Sequence, residues 1–220
     1  TDGSMDAHVL LAADRAGRSI RTISLPGMNV AGYRDYAATL FDRPRLQNAA
    51  TLGLNPLLDA WLQSDPKAAG EIAMMVMPDL WSAAGLIAVP RRMLFVGADD
   101  RSDLDARALL KNHEDFWTRA DGLLDAEQAR SLTPLIWNYR RHLALVANNL
   151  GVLLEDLSAP DEAFRAYAAT RHLDPGNISA VLNQAIMVKG GYQTSEAAAI
   201  LAELDRVAAE LGNERFSLWT

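Results

Sequence analysis

Cysteine is absent from the 220 residues. That excludes disulfides, thiolate metal sites and a cysteine nucleophile, while assigning no compartment. No run of about 18 apolar residues occurs, so no stretch reads as a membrane-spanning helix. The sequence from Thr1 onward is acidic and polar, unlike a signal peptide, and leaves open a targeting or anchoring segment upstream. A basic excess is missing too. Lys and Arg number 21 against 28 Asp and Glu, a net charge of -7. Nucleic-acid backbones call for clustered Lys and Arg, and the pairs Arg91-Arg92 and Arg140-Arg141 read as solvated surface. Neither the dinucleotide fingerprint GxGxxG nor the phosphate loop GxxxxGK[ST] is present.

What is there is an ordinary globular balance: 50% hydrophobic and 22% charged residues, in a chain long enough for one large or two small domains. Residues 1–100 read as an α/β domain with a small, largely parallel sheet. A helix runs to about Arg15 and ends at Gly17; RSIRTISL at 18–25 then alternates apolar and polar as a strand does. Helix followed by strand at the very start suggests a βαβ unit whose first strand precedes Thr1, in a piece of a longer protein. Helices are expected over 31–40, 43–51 and 57–62, a buried strand at EIAMMVM (71–77), a short helix holding Trp81, and a clear strand at RRMLFVG (91–97) behind Pro90.

Parallel sheets bind ligands beyond the carboxyl ends of their strands. Those ends are 26–29, 78–79 and 97–100 here, and the acid, base or ligand-binding groups available near them are Asp2, His8, Asp79 and Asp99. A small enzyme or a carbohydrate-binding domain would place its site there. Asp99, Asp100, Asp103 and Asp105 follow a strand but lack the spacing of a calcium loop, so they read as a turn and the acidic start of a helix, with no metal site and no cofactor expected. Trp61, Trp81, Trp117 and Trp137 fall at apolar helical positions, which favours core packing over sugar stacking.

Residues 101–143 read as connecting and capping helices. Asp103 or Asp105 caps the first, which carries Leu109, Leu110, Phe116 and Trp117. His113-Glu114-Asp115 are consecutive and point in different directions, so they read as surface residues and not as a catalytic cluster. Residues 125–132 are expected to be helical, and Pro134 fits the first turn of the next helix, with Trp137 and Leu143 on its apolar face.

Residues 144–220 read as all-α. With Ala144 as the first position, Leu150, Gly151, Leu154, Ala163, Tyr167 and Pro175 occupy the signature positions of a 34-residue repeat. The stretch 144–177 resembles one tetratricopeptide repeat without a gap, departing from it at Ala147 and Thr170. A degenerate second repeat over 178–211 keeps Ala185, Val188, Ala197 and Leu201. The resemblance implies stacked helix hairpins in which Asn149 and Asn183, at the sixth position of each, hydrogen-bond the backbone of a bound peptide. Leu145 and Ser179 stand where the basic partners of a carboxylate clamp would be. Two repeats alone would expose apolar edges, so residues 1–100 and the helices at 104–131 are expected to cap them, with Phe216 and Trp219 docking as the other cap.

More broadly, TDG at the start, PDLWSAAGL (78–86), MLFVGADD (93–100), VANNLGVLLEDL (146–157) and the following DEAF resemble the C-terminal soluble region of bacterial multi-pass membrane proteins similar to protein O-mannosyltransferases. That resemblance implies glycosyl transfer in a membrane half and an extracytoplasmic, non-catalytic accessory role for these residues. The expected partner is a protein or peptide, including that membrane half. No catalytic residue carries over.

Overall fold

Proline and glycine set the boundaries of the helices that follow the first turn. A computed structural model describes residues 1–3, 6–65, 67–128 and 133–211. Helix α1 spans Asp6–Arg15 and buries none of its residues. Helices α2 (Ala31–Thr39), α3 (Pro44–Leu52) and α4 (Leu54–Ser64) pack in succession. Pro44 starts α3, where its missing N–H costs no helical bond. Gly53, at φ 129, ends α3 and begins α4 in one residue, a reversal no side chain tolerates well. Met28, Ala37, Phe41, Leu46, Ala50 and Leu57 form the core between these helices. Trp61 meets Phe41 edge-on at 5.0 Å, so its ring packs as the helical spacing implies.

The chain divides into two compact units, Thr1–Val89 with Leu94–Arg101, and Pro90–Met93 with Ser102–Thr220. After α5 (Ala68–Glu71), the first unit continues with β1 (Ala73–Met74), α6 (Asp79–Ala83), β2 (Ile87–Arg91) and β3 (Leu94–Ala98). The sheet order is β1-β3-β2, and β1 runs antiparallel to β3, pairing Ala73 with Val96 and Met74 with Phe95. Trp81 is fully buried: its Nε1 donates to the Phe95 carbonyl at 3.3 Å, and Gly97 leaves room for its ring.

The expected parallel sheet is therefore wrong. Only Arg92 and Met93 separate β2 from β3, too short a link for a parallel crossover. The run RRMLFVG is not one strand but the end of β2, a turn with Arg92 at φ 60, and most of β3. Pro90 sits within β2, an edge strand, where no partner misses its N–H. The 71–77 strand shrinks to β1, because Glu71 closes α5 and Met77 turns at φ 58. Residues 18–25 join no strand. Their end is instead tied to the N-terminus, with Leu25 N–H donating to the Thr1 carbonyl and the Thr1 ammonium donating to the Ile23 carbonyl, both at 2.8 Å.

The second unit is helical apart from its share of the hairpin: α7 (Ala106–Gln128), α8 (Thr133–Asp156), α9 (Pro160–Leu173), α10 (Ile178–Lys189) and α11 (Ala197–Leu211). Asp105 caps α7 by accepting from Ala108 N–H at 3.0 Å, and Asn177 caps α10 by accepting from Ala180 N–H at 3.1 Å. Helix α9 packs against α7, α8 and α10, and α10 against α11. At the centre of the α8–α9 contact, Gly151 faces the buried ring of Tyr167, whose hydroxyl donates to Glu155. Expectations for 129–132 and for the tail with Phe216 and Trp219 lie outside the described residues.

A methyl group added at Gly151 would overlap the Tyr167 ring. Gly151→Ala is expected to destabilise the protein by about 1–3 kcal/mol through overpacking, although alanine is the better helix former. Urea unfolding followed by far-UV circular dichroism measures it; an unchanged or raised midpoint would show that α8 and α9 do not pack this closely.

Candidate functional site

Helix α8 buries one side and leaves another uncovered. Leu143, Val146, Leu150 and Leu154 are buried, whereas Trp137, Arg141, Leu145 and Val152 are exposed. Spacings of four, four and seven residues put the exposed set on one face. Trp137 is 53% exposed and carries the Arg141 guanidinium 4.5 Å above its ring. The expectation that Trp137 packs in a core with Leu143 is thus corrected. Six residues separate the two, which on a helix points them in different directions.

Asn148 lies within the same stripe, three residues after Leu145 and four before Val152. Its Oδ1 accepts from Asn183 Nδ2 of α10 at 3.3 Å. One turn further along α10, Ile186 is 66% exposed. The amide pair therefore sets the uncovered faces of α8 and α10 side by side, and each amide keeps an arm outside that bond. Of the two asparagines expected to align, Asn183 is in this contact and Asn149 is beside it. Asn149 Nδ2 donates to the Leu145 carbonyl of its own helix at 2.9 Å. The sequence signal for Asn148 was its adjacency to Asn149; only the stagger of the helices selects between them.

The residues expected at strand ends do not form one site. Asp2 lines a cavity in the first unit, and His8, Asp79 and Asp99 are not on its walls. All four are exposed: His8 on α1, Asp79 in the first turn of α6, Asp99 just after β3. Antiparallel pairing sets the end of β1 beside the start of β3, so the carboxyl ends of those two strands do not lie together. Among the described residues, no group of three or more His, Cys, Asp or Glu could hold a metal ion.

On the side where α9 meets α7, ion pairs replace apolar contact at the rim. Arg107 faces Glu162 at 3.4 Å, Glu114 accepts from Arg165 at 2.6 Å, and Asp121 contacts His172 at 2.9 Å. The α7 members recur every seven residues, two helical turns apart. Arg140 of α8 also donates to Asp121 at 2.5 Å and pairs with Asp125. Burial pushes the Asp121 carboxyl up, but hydrogen bonds from His172 and Arg140 outweigh it and hold the group below its ordinary range.

His113 of α7 is buried at 1% exposure, contrary to its expected surface position. Glu114 and Asp115 do point elsewhere, into the ion pairs with Arg165 and Lys111. His113 Nε2 accepts from Arg92 N–H at 3.0 Å, so Nδ1 carries the proton and donates to the Leu109 carbonyl at 2.8 Å. His142 Nε2 donates to the Met93 carbonyl at 2.8 Å. Two histidines thus hold the two residues of the hairpin turn. Burial lowers the His113 pKa; the Leu109 bond opposes this and the charges of Arg91 and Arg92 reinforce it.

No family model, no curated protein and no solved structure matches the chain. The site is therefore argued from its own geometry.

Because His113 is held neutral below the ordinary value of 6.5, the unfolded chain takes up its proton first as pH falls. Its contribution to stability is complete above that value and is lost as pH drops from there towards the depressed native pKa. Between about pH 7.5 and about pH 5 the urea midpoint is expected to fall more steeply in the wild type than in His113→Gln. Parallel slopes for the two proteins would show that His113 is not held as a neutral acceptor.

Proposed function

We propose that this chain is a non-catalytic interaction module whose tetratricopeptide-like helix hairpins hold an extended peptide along the uncovered faces of α8 and α10. The observation that carries the reading is the Asn148–Asn183 pair, which links two exposed stripes across neighbouring hairpins. Peptide backbones alternate donors and acceptors, and side-chain amides satisfy both. Leu145, Val152 and Ile186 stand within about a turn of the pair on their helices, and Trp137 lies about three turns before Asn148 on the same face of α8, a set of exposed apolar side chains able to take side chains of an extended segment. Trp and Arg are the residue types that most often dominate binding energy at interfaces, and Trp137 with Arg141 supplies both. Arg141 fits a partner with a carboxylate near one end.

Among the described residues, no helix is long and apolar enough to cross a membrane. On the resemblance to the soluble tails of O-mannosyltransferase-like membrane proteins, the proposed peptide belongs to a polytopic membrane half, and these residues act beside it on the extracytoplasmic side. An immunoblot of membrane and soluble fractions tests that part. A band far above 24.0 kDa in the membrane fraction supports it, and a soluble band at that mass overturns it.

The groove itself is tested with random phage-displayed peptides of about 12 residues, selected on the immobilised protein and then measured by fluorescence anisotropy. Recovered peptides are expected to carry apolar residues at alternate positions. Trp137→Ala and Ile186→Glu are each expected to weaken them by about tenfold or more, with Asn148→Ala adding a smaller loss. All three side chains are at least partly exposed, so folding should be retained. Failure to enrich any peptide, or equal binding by all three variants, would sink the reading.

A further inference from the structure

We infer that the first unit contains a second, independent binding site, for a small amphipathic carboxylate, in a cavity between the 26–29 turn, the α3–α4 junction and the turn before α6. Its volume is about 610 Å³, within the usual span of small-molecule sites. The wall is mostly apolar. Leu25, Met28, Leu52, Met77 and Leu80 all contribute to it. Leu52 is 75% exposed and Met77 half exposed, so large apolar side chains stand at the mouth with no protein cover. Met77 also sits at φ 58, a conformation that side-chain-bearing residues adopt at a cost. Backbone strain and uncovered apolar surface thus coincide at one rim. Methionine, unbranched and polarizable, suits a rim that closes on ligands of varied shape.

The charge on the wall selects the head group. Arg34 lines the cavity and is half-buried. Its Nε donates to the Thr51 carbonyl at 3.0 Å and its Nη1 to the Met28 carbonyl at 3.2 Å. Those two bonds orient the guanidinium plane and use two of its five N–H donors. Among the described residues no carboxylate forms an ion pair with it. A half-buried, oriented guanidinium with donors left over matches a carboxylate, which takes two parallel hydrogen bonds from such a fork. The amides of Asn29 and Asn55, on the same lining, add neutral polar groups. The ligand is a compound with one carboxylate on Arg34 and a hydrocarbon body along Leu52, Met77 and Leu80.

The test is isothermal titration of the full chain with decanoate, alongside 1-decanol and decylamine as probes of the same length with a neutral and a positive head. Decanoate is expected to bind saturably, one per chain, and at least about tenfold more tightly than either control. Arg34→Gln should remove that preference, and Leu52→Ser, at an exposed position that leaves folding intact, should weaken decanoate several-fold. Trp137→Ala, on the α8 face, should leave decanoate binding unchanged, which separates this site from the peptide groove. Should Arg34→Gln fail to fold, Leu52→Ser and the decylamine comparison still decide. Absence of saturable decanoate binding, equal affinity for the three probes, or a Leu52→Ser variant with wild-type affinity would overturn the proposal.

Discussion

The close approach of Gly151 to the ring of Tyr167 governs the helical unit. A glycine on α8 lets α9 lie against it, with the aromatic ring filling the space a side chain would take. That ring is fully buried, and its hydroxyl bonds to Glu155, one turn beyond Gly151 on α8. Burial and the Glu155 carboxylate together push the phenol pKa well above its ordinary value, so it stays a donor at any physiological pH. Helix α9 then becomes the common neighbour of α7, α8 and α10. Gln184 of α10 continues the chain of constraints inward. It is buried, donates to the Phe164 carbonyl at 3.1 Å and accepts from Arg171 at 2.9 Å, both on α9. A buried amide satisfied at both ends fixes register more sharply than apolar contact does. The stagger between α8 and α10 that brings Asn183 to Asn148 follows from those two contacts.

The faces of this unit differ in kind because the helices solve two problems. Inside, small and large apolar side chains interdigitate, as Ala163 and Ala166 do beside Phe164 and Tyr167. Along α7 and α9, ion pairs two turns apart close the rim, and such exposed pairs contribute little stability each. The stripe on α8 and α10 has neither kind of cover. Trp137, Leu145, Val152 and Ile186 remain open to solvent.

Much of this was legible from local signals, and what was not depends on pairing over distance. The cap at Asp105, the helix end near Gly17 and Pro134 in the first turn of a helix are written in neighbouring residues, and these helices form where those signals stand. Sheet direction is not local in that sense. The alternation of RSIRTISL fits a half-buried extended segment as well as a strand, and only the absence of a neighbour decides. The run RRMLFVG hid a turn because neither Arg92 nor Met93 is a usual turn residue; Arg92 takes φ 60 while its N–H is held by His113, twenty-one residues away. Trp137 and His113 were misplaced for a related reason. A helix with apolar residues on more than one face does not declare which face will be covered.

These misreadings bear on function. Expecting a parallel sheet directs attention to carboxylates at strand ends, where Asp79 and Asp99 turn out to be exposed residues following strands that run in opposite directions. The antiparallel hairpin removes that geometry and leaves the turns, not the strands, to shape a cavity. The segments at 26–29 and 76–80 do come together around apolar space, with Arg34 supplying the only cation among the described residues of that lining. Recognition by such a lining rests on shape, uncovered apolar area and an oriented charge. The cavity of the first unit and the α8–α10 stripe share these features: exposed apolar side chains beside an arginine, Arg34 in one and Arg141 in the other.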